Sequence, residues 1–513
     1  MGNRVLSARQ VVESVEEEGV VAAITHEGEG VVRGGKTAFV AGALPGERIR
    51  YRRFKRHRQH DDARLIEVLE PAANRAVPRC AHFGICGGCA LQHLEPESQI
   101  AAKELELRDN LQRVAEVLPD EWFAPLRGPV WNYRRRARLG AKYVTKKGRV
   151  VVGFRERLSP YVAALDRCEV LAAPADALIT PLSEMLTGLS IRERLPQIEV
   201  AVADNAVALV MRVLAPPTPE DLAKLRAFEQ ANPPVRIYLQ PGGLDSVARL
   251  SPQAGEDDGG DGARFAAALV EGTGGVDGVD GVVSDSRADN RASPPNLGVQ
   301  RGTTLSSAES PLIYGLPQFD VTLEFTPTDF IQINAEINQS LVARAIELLD
   351  PDADSKVLDL FCGLGNFTLP LARKAARVVG VEGDRHLVQR AADNARRNGI
   401  ETAEFHVADL SKPPGDTPAT APVWAHPTHG PAYTHILLDP PRAGAREMLS
   451  TVARLAPKRV LYISCHPGSL ARDTGMLVHQ YGFRLRAAGV LDMFPHTTHV
   501  ESLALFEPPT PRS

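Results

Sequence analysis

At 513 residues the chain exceeds what a single hydrophobic core serves, so about two to four domains are expected. Hydrophobic residues make up 43% of it, enough for ordinary globular cores, yet no run of about 18 apolar residues occurs and a membrane-spanning helix is excluded. The net charge of −4 hides a segregation: basic residues crowd Arg48 to Arg58 and recur at Arg134-Arg135-Arg136, a distribution suited to meeting nucleic acid on one surface, while acidic residues crowd Glu256 to Asp261. The start, Met1-Gly2-Asn3-Arg4-Val5, lacks the apolar core of a signal peptide, and Leu6 stands where a myristoylation signal needs Ser or Thr. A cytoplasmic location is expected. In that compartment the six cysteines point to metal binding or catalysis rather than disulfides.

Residues 11 to 70 read as a small β domain. Val20 to Ile24 and Thr37 to Val40 are short apolar strands, separated by the turn clusters Glu27-Gly28-Glu29-Gly30 and Arg33-Gly34-Gly35-Lys36. Arg48-Ile49-Arg50-Tyr51-Arg52-Arg53-Phe54-Lys55-Arg56 follows. Its cations suit phosphate, and Tyr51 and Phe54 offer stacking faces; the alternative is a salt-bridged strand with a core Phe.

Next comes Cys80-Ala81-His82-Phe83-Gly84-Ile85-Cys86-Gly87-Gly88-Cys89, a C-x5-C-x2-C cluster whose glycines let the backbone wrap around a centre. Three thiolates need a fourth ligand, and Cys168 is the one cysteine left before the C-terminal domain. Four thiolates suit either zinc or a [4Fe–4S] cluster, and the two C-x2-C knuckles usual for zinc are absent. Pro96 to Leu118 has helical spacing and ends at Pro119. Residues 130 to 250 look α+β, with strands at Val150 to Phe154 and Ile198 to Val202, and a second basic stretch at Tyr133 to Arg138. Residues 252–310, rich in Gly and Asp, read as a disordered insertion. Order resumes near Pro311, with a strand from Phe319 to Leu323.

From there strands alternate with helices, the pattern of a doubly wound α/β sheet. Val357 to Leu360, Val378 to Glu382, Thr434 to Asp439 and Arg459 to Ile463 are strands; Phe367 to Ala375 and His386 to Asn398 are helices. Asp359-Leu360-Phe361-Cys362-Gly363-Leu364-Gly365-Asn366 fills the first strand-to-helix turn, where glycines admit a ligand to the backbone. Thr368 replaces the third glycine of a dinucleotide fingerprint. Asp359, Glu382 and Asp409 are strand-end carboxylates, suited to an ammonium or sulfonium ligand, to ribose hydroxyls and to an adenine amine. Gln332 lies just before the domain and reads as a turn or capping residue as readily as a ligand contact. Ligands of open α/β sheets bind at the carboxyl ends of the strands. There stand Asp439, in Asp439-Pro440-Pro441-Arg442, and Cys465, in Ser464-Cys465-His466-Pro467; the alternative is a buried core cysteine.

Asp359 to Asn366, Asp439-Pro440-Pro441-Arg442, Ser464-Cys465 and His499-Val500-Glu501 together resemble the RNA uracil-5-methyltransferases. The likeness covers nearly the whole chain apart from 252–310 and the two ends. It implies three domains: an OB-like β-barrel of the TRAM type over 11–70, an RNA binder; a central α+β domain over 71–325 holding a [4Fe–4S] cluster on Cys80, Cys86, Cys89 and Cys168; and a Rossmann-like methyltransferase domain over 326–508. It further implies S-adenosylmethionine as cofactor, held by Gln332, Phe361, Asn366, Glu382, Asp409 and Asp439. Cys465 is the implied nucleophile toward uracil C6 and Glu501 the implied general base. The tRNA branch of the family typically lacks the cluster and the barrel, so the expected partner is 23S ribosomal RNA, with no membrane and no obligate protein partner. The family motif usually reads Ser-Cys-Asn-Pro, and His466 departs from it. Cys362 is read as a small loop residue. A radical enzyme is disfavoured, since its usual spacing is C-x3-C-x2-C. An RNA-binding module with a dead transferase domain is disfavoured by the intact Cys465, Asp439 and Glu501.

Overall fold

Alternation of inward apolar and outward polar residues rolls the first described segment into a closed barrel. The computed structural model describes residues 15–250, 310–415, 421–426 and 432–509; residues 251–309, which hold nearly all of the expected insertion, lie outside them. Strands β1 (Glu17–Ile24), β2 (Glu29–Val32), β3 (Thr37–Ala41), β4 (Arg48–Arg56) and β5 (His60–Glu70) close in the order β1-β2-β3-β5-β4. Val21, Val40, Ile49, Tyr51 and Ala63 fill the interior. Gly30 is needed here, because a Cβ would stand 2.8 Å from the Ala43 carbonyl oxygen.

The expected stacking pair on β4 is corrected in one member. Tyr51 is 3% exposed and its hydroxyl donates to Glu17 at 2.9 Å, whereas Phe54 is 52% exposed. Ile49 and Tyr51 share the inward face because strand faces repeat every two residues. The arginines of β4 are ion-paired: Arg48 with Glu70, Arg50 with Glu67, Arg52 with Glu16, and Arg53 with Glu17 and Asp61.

After the cysteine loop, α1 (Pro96–Asn110) widens into a π-helical turn, Leu111–Ala115, and stops at Glu116, whose φ of 54° is left-handed. A two-residue strand, β6 (Glu121–Trp122), follows.

The described residues form two compact units. One holds residues through Arg134, the short piece Cys168–Leu171 and everything from Gln332 onward; the other holds Arg135–Arg167 and Ala172–Ile331. The segment 71–325, expected as one domain, is thus divided between them. In the second unit β7 (Arg136–Val144), β8 (Arg149–Gly153), β9 (Gln197–Val202), β10 (Val207–Arg212), β11 (Val235–Gln240) and β12 (Ala248–Arg249) form a sheet in the order β12-β11-β10-β9-β7-β8. Helices α2 (Ile179–Thr187) and α3 (Pro219–Ala231) belong to it, α3 opening on a Thr218–Asp221 capping box. The second basic stretch is ion-paired too, Arg135 with Asp204 at 2.7 Å and Arg138 with Glu199 at 2.9 Å. A hairpin of β13 (Leu312–Leu316) and β14 (Val321–Phe325) ends the unit. The strand expected from Phe319 begins at Val321, because Pro317–Phe319 turn as a 3-10 helix and Asp320 is left-handed.

The first unit resumes with α4 (Ala335–Leu349), β15 (Lys356–Leu360), α5 (Thr368–Ala372), β16 (Arg377–Glu382), α6 (Arg385–Arg397), β17 (Ala403–Val407), β18 (His435–Leu438), α7 (Leu449–Leu455), β19 (Arg459–Ser464), α8 (Pro467–His479), β20 (Arg484–Leu491) and β21 (Glu501–Glu507). The sheet order is β17-β16-β15-β18-β19-β21-β20-β6. The first five strands are parallel, β21 runs against β19, and β6 from the N-terminal half completes the edge beside β20. This is the expected doubly wound, Rossmann-like sheet. Among the described residues no helix is long and apolar enough to cross a membrane.

Candidate active site and cysteine centre

Apolar runs bury β18 and β19 on both faces, so their first polar residues emerge at the carboxyl edge of the sheet. The antiparallel ladder between β19 and β21 ends with Ile463 opposite Leu503 and Ser464 opposite Ser502. Cys465 stands in the bend just after β19 and Glu501 is the first residue of β21, one residue beyond that last pair on each side, and the Glu501 charge reaches the Cys465 thiol. The Ser502 hydroxyl donates to the Ser464 carbonyl at 3.1 Å and locks that register. On the adjoining strand, Leu438 lies opposite Tyr462, which puts Asp439 at the neighbouring strand end; its N–H donates to the Leu360 carbonyl at 3.3 Å.

The environment favours neutral groups. Burial, then Glu501 and Asp439, push the Cys465 thiol up to about 11, while the Arg442 guanidinium opposes them. Burial and the charge of Asp439 raise buried Glu501 well above the usual carboxylate range. Asp439 keeps some open surface, yet protein surrounds its carboxyl, and that burial pushes it up to about 7. Arg442 donates to His499 Nδ1 at 2.9 Å. Burial, then Arg442, hold His499 down to about 4, so its Nδ1 stays an acceptor at neutral pH.

The glycine loop follows β15. Buried Asp359 accepts the Thr368 hydroxyl at 2.5 Å through Oδ2, and its Oδ1 has no partner among the described residues. Burial pushes this carboxyl up to about 7 despite that hydrogen bond, with Asp439 and Glu382 adding to the rise. Phe361 takes a left-handed φ of 67°, sparsely populated for an aromatic residue, and its N–H donates to Val381. Gly363 is also left-handed, and a Cβ there would meet nothing within 4 Å, so space lies open beside it. Glu382 accepts the N–H groups of Gly363 at 3.2 Å, Gly383 at 2.6 Å and Asp384 at 3.1 Å. Asn366 exchanges two 2.9 Å amide hydrogen bonds with Asn338 on α4, a partner that sequence reasoning missed. Asp409 is exposed beyond β17; Lys412 at 2.7 Å and then Ser411 hold it down to about 2. Gln332 is half-buried two residues before Asn334, the N-cap of α4. Cys362 is buried, its sulfur 3.0 Å from where a Gly380 Cβ would be, so it faces the sheet.

His466 is the N-cap of α8. Its Nδ1 accepts the Ser469 N–H at 3.1 Å, the bond an asparagine would make, and Pro467 follows at the first helical position. Its N–H donates to the Ser464 hydroxyl at 3.1 Å. The nucleophile candidate is thus pinned from both sides.

Cys80, Cys86, Cys89 and Cys168 gather in the first unit. Burial pushes the thiols of Cys86 and Cys89 up to about 11 and about 12, and each is raised further by Cys80 and Cys168. The Gly88 N–H points at Cys86 Sγ, 3.4 Å away, and Gln92 Oε1 accepts the Cys80 N–H at 3.1 Å. In the barrel, His57, His60 and Asp62 bring three potential metal-ligating atoms within 4.8 Å of one another.

The sequence family of tRNA (uracil-5-)-methyltransferases matches residues 318–508. The chain is 44% identical over 488 residues to a 23S rRNA (uracil(1939)-C(5))-methyltransferase RlmD of Alkalilimnicola ehrlichii, covering 95% of each. It is 43% identical over 488 residues to the protein of that name from Methylococcus capsulatus, covering 95% of this chain and 96% of the other. Among solved structures, the tRNA (uracil-54, C5)-methyltransferase of Pyrococcus abyssi, in complex with S-adenosyl-L-homocysteine, shares the fold at a TM-score of 0.64 and 21% identity, over 95% of this chain and 99% of that one. The chain belongs to the RlmD family of 23S rRNA (uracil(1939)-C(5))-methyltransferases.

Proposed function

We propose that the protein transfers a methyl group from S-adenosylmethionine to C5 of a uridine in 23S ribosomal RNA, the position numbered 1939 in its relatives' names. The transfer runs through a covalent bond between Cys465 and uracil C6. The observation that most supports this reading is that Cys465 and Glu501 each stand one residue beyond the Ser464–Ser502 pair and interact electrostatically, with Asp439 at the adjoining strand end.

Uracil C5 is a weak nucleophile. Addition of the Cys465 thiolate to C6 leaves an enolate that makes C5 electron-rich. S-adenosylmethionine, when bound, supplies an electrophilic methyl group on a sulfonium sulfur. Once C5 carries the methyl, the Glu501 carboxylate takes the C5 proton and the electron pair expels Cys465 as thiolate. Glu501 must ionise for this, and Arg442 is the cation that opposes the burial resisting a Cys465 thiolate. Asp439 orients both reactants.

The residues present fit the cofactor. The unpartnered Asp359 Oδ1 and the open space beside Gly363 suit a cationic ligand lying against the loop. Gln332, Phe361, Asn366, Glu382, Asp409 and Asp439 would hold it. The four cysteines likewise fit a [4Fe–4S] cluster. The Gly88 N–H beside Cys86 Sγ suits a sulfur that ligates. The cluster's role is structural.

The barrel over 11–70, of the TRAM type, would grip RNA, with Phe54 as its stacking face. Arg48, Arg50 and Arg52 must exchange carboxylates for phosphates, a small cost because such exposed pairs are worth ~0–1 kcal/mol. That grip offsets the few kcal/mol needed to flip the target base.

The test is trapping with 5-fluorouridine, whose C5 fluorine cannot be removed as a proton. A 23S fragment carrying it should form a denaturation-resistant adduct with the wild-type protein and with Glu501→Gln, but not with Cys465→Ala. An adduct in Cys465→Ala, or with tRNA alone, would overturn the reading.

A further inference from the structure

We infer that residues 492–499 form a clasp through which the cysteine loop sets the position of the segment bearing His499 and Glu501, with His496 and Gln99 as its positioning residues. This rests on the proposed uracil methylation and adds that the cysteine centre bears on the chemistry by holding that segment.

The link is continuous. His496 is 2% exposed and takes a left-handed φ of 63°. Its carbonyl accepts the N–H groups of Ala90 at 2.8 Å and Leu91 at 3.0 Å, the two residues after Cys89. Its own N–H donates to Gln99 Oε1 at 2.9 Å, and its Nδ1 lies 3.2 Å from Gln99 Nε2. The same Nε2 reaches the carbonyls of Leu91 at 3.0 Å and Leu94 at 2.7 Å. One buried amide on α1 therefore ties the end of the cysteine loop to the loop before β21.

A second path runs through rings. His496 lies against Trp131, centroids 4.0 Å apart, and the Arg79 guanidinium sits 5.2 Å over the same indole. Arg79 precedes Cys80 and pairs at 3.2 Å with Glu169, which follows Cys168. On the catalytic side Lys103 donates to Asp492 at 2.7 Å and to the Phe494 carbonyl at 3.0 Å. Phe494 meets His499 edge-on at 5.4 Å, and His499 receives Arg442. Residues 492–499 form no helix or strand of their own, so these buried contacts set their path. A left-handed histidine persists only where its surroundings over-determine it.

The test uses anaerobically purified holoenzyme and two variants, Gln99→Met and His496→Asn, asparagine also tolerating a left-handed backbone. Iron content, the KM for a 23S fragment and kcat are measured, with hydrogen exchange over 492–501. Iron and KM should stay near wild type, kcat should fall about tenfold, as expected for a lost buried hydrogen bond, and exchange should rise. Anaerobic removal of iron from the wild type should raise exchange over the same amides. Unchanged kcat in the variants, loss of kcat only together with iron, or exchange indifferent to iron would overturn the clasp. If His496→Asn does not fold, Gln99→Met decides. A wild-type protein that makes no 5-methyluridine would sink the functional reading alone, and the exchange measurements would still judge the clasp.

Discussion

His466 caps α8 through Nδ1, which requires a neutral ring with its proton on Nε2. Burial, then Arg442 and Arg472, hold its pKa below the usual value of 6.5. A folded-state pKa below the unfolded one means that the cap's stabilisation is present above about 6.5 and is lost as the pH falls toward the folded value. His466→Ala should cost ~1 kcal/mol in urea unfolding at pH 7. His466→Asn should match the wild type there and exceed it at pH 5. Equal unfolding of all three chains at both values would count against the cap. The capping role was not read in the sequence, where His466 stood only as a departure from Ser-Cys-Asn-Pro; the signal that could have found it is Pro467 at the first helical position. The Tyr51 role was misread because a basic run drew attention to charge, while the period-two pairing of Ile49 with Tyr51 carried the burial signal.

The loop between β15 and α5 gives the clearest pH signature among the elements. Asp359 and Asp439 are both raised to about 7, so each is largely protonated below that value. A sulfonium or ammonium ligand needs them ionised. S-adenosylmethionine should therefore bind more tightly as the pH rises from 6 to 8 and then level off, by at most about tenfold per proton per pH unit. Asp359→Asn should weaken binding and flatten that slope. Calorimetric titration at several pH values checks this; a flat wild-type profile would refute it. The parallel strands behind this loop were legible because both their faces are apolar. Strands β20, β21 and β6 were not assigned, since β6 has two residues and takes its place only by pairing with β20, far along the chain. Glu501 opens a strand buried along all but its last residue, so no alternation marks it and its position came from motif resemblance rather than periodicity.

At the scale of the molecule, the cysteine centre stitches together segments that the sequence keeps apart. Cys168 returns to the first unit in a four-residue piece, where the Arg134 N–H donates to Val170 at 2.8 Å and the Asn132 N–H to Glu169 at 3.0 Å. Cys89→Ser should lose iron and lower the melting temperature; wild-type iron content and melting would exclude the assigned ligand set. The ligand spacing was legible, but the hydrogen bonds from Gln99 to His496 span 397 positions and no local pattern announces them. The edge pairing of Trp122 with Ala488 has a consequence in time. At about 5–20 residues per second, a ribosome needs roughly 20–70 s to make the chain between those partners. The barrel can close early, whereas α1, β6 and the cysteine loop must wait for nearly the whole polypeptide to emerge before they have anything to pack against. Maturation of this part of the protein is an event of the finished chain, not of the growing one.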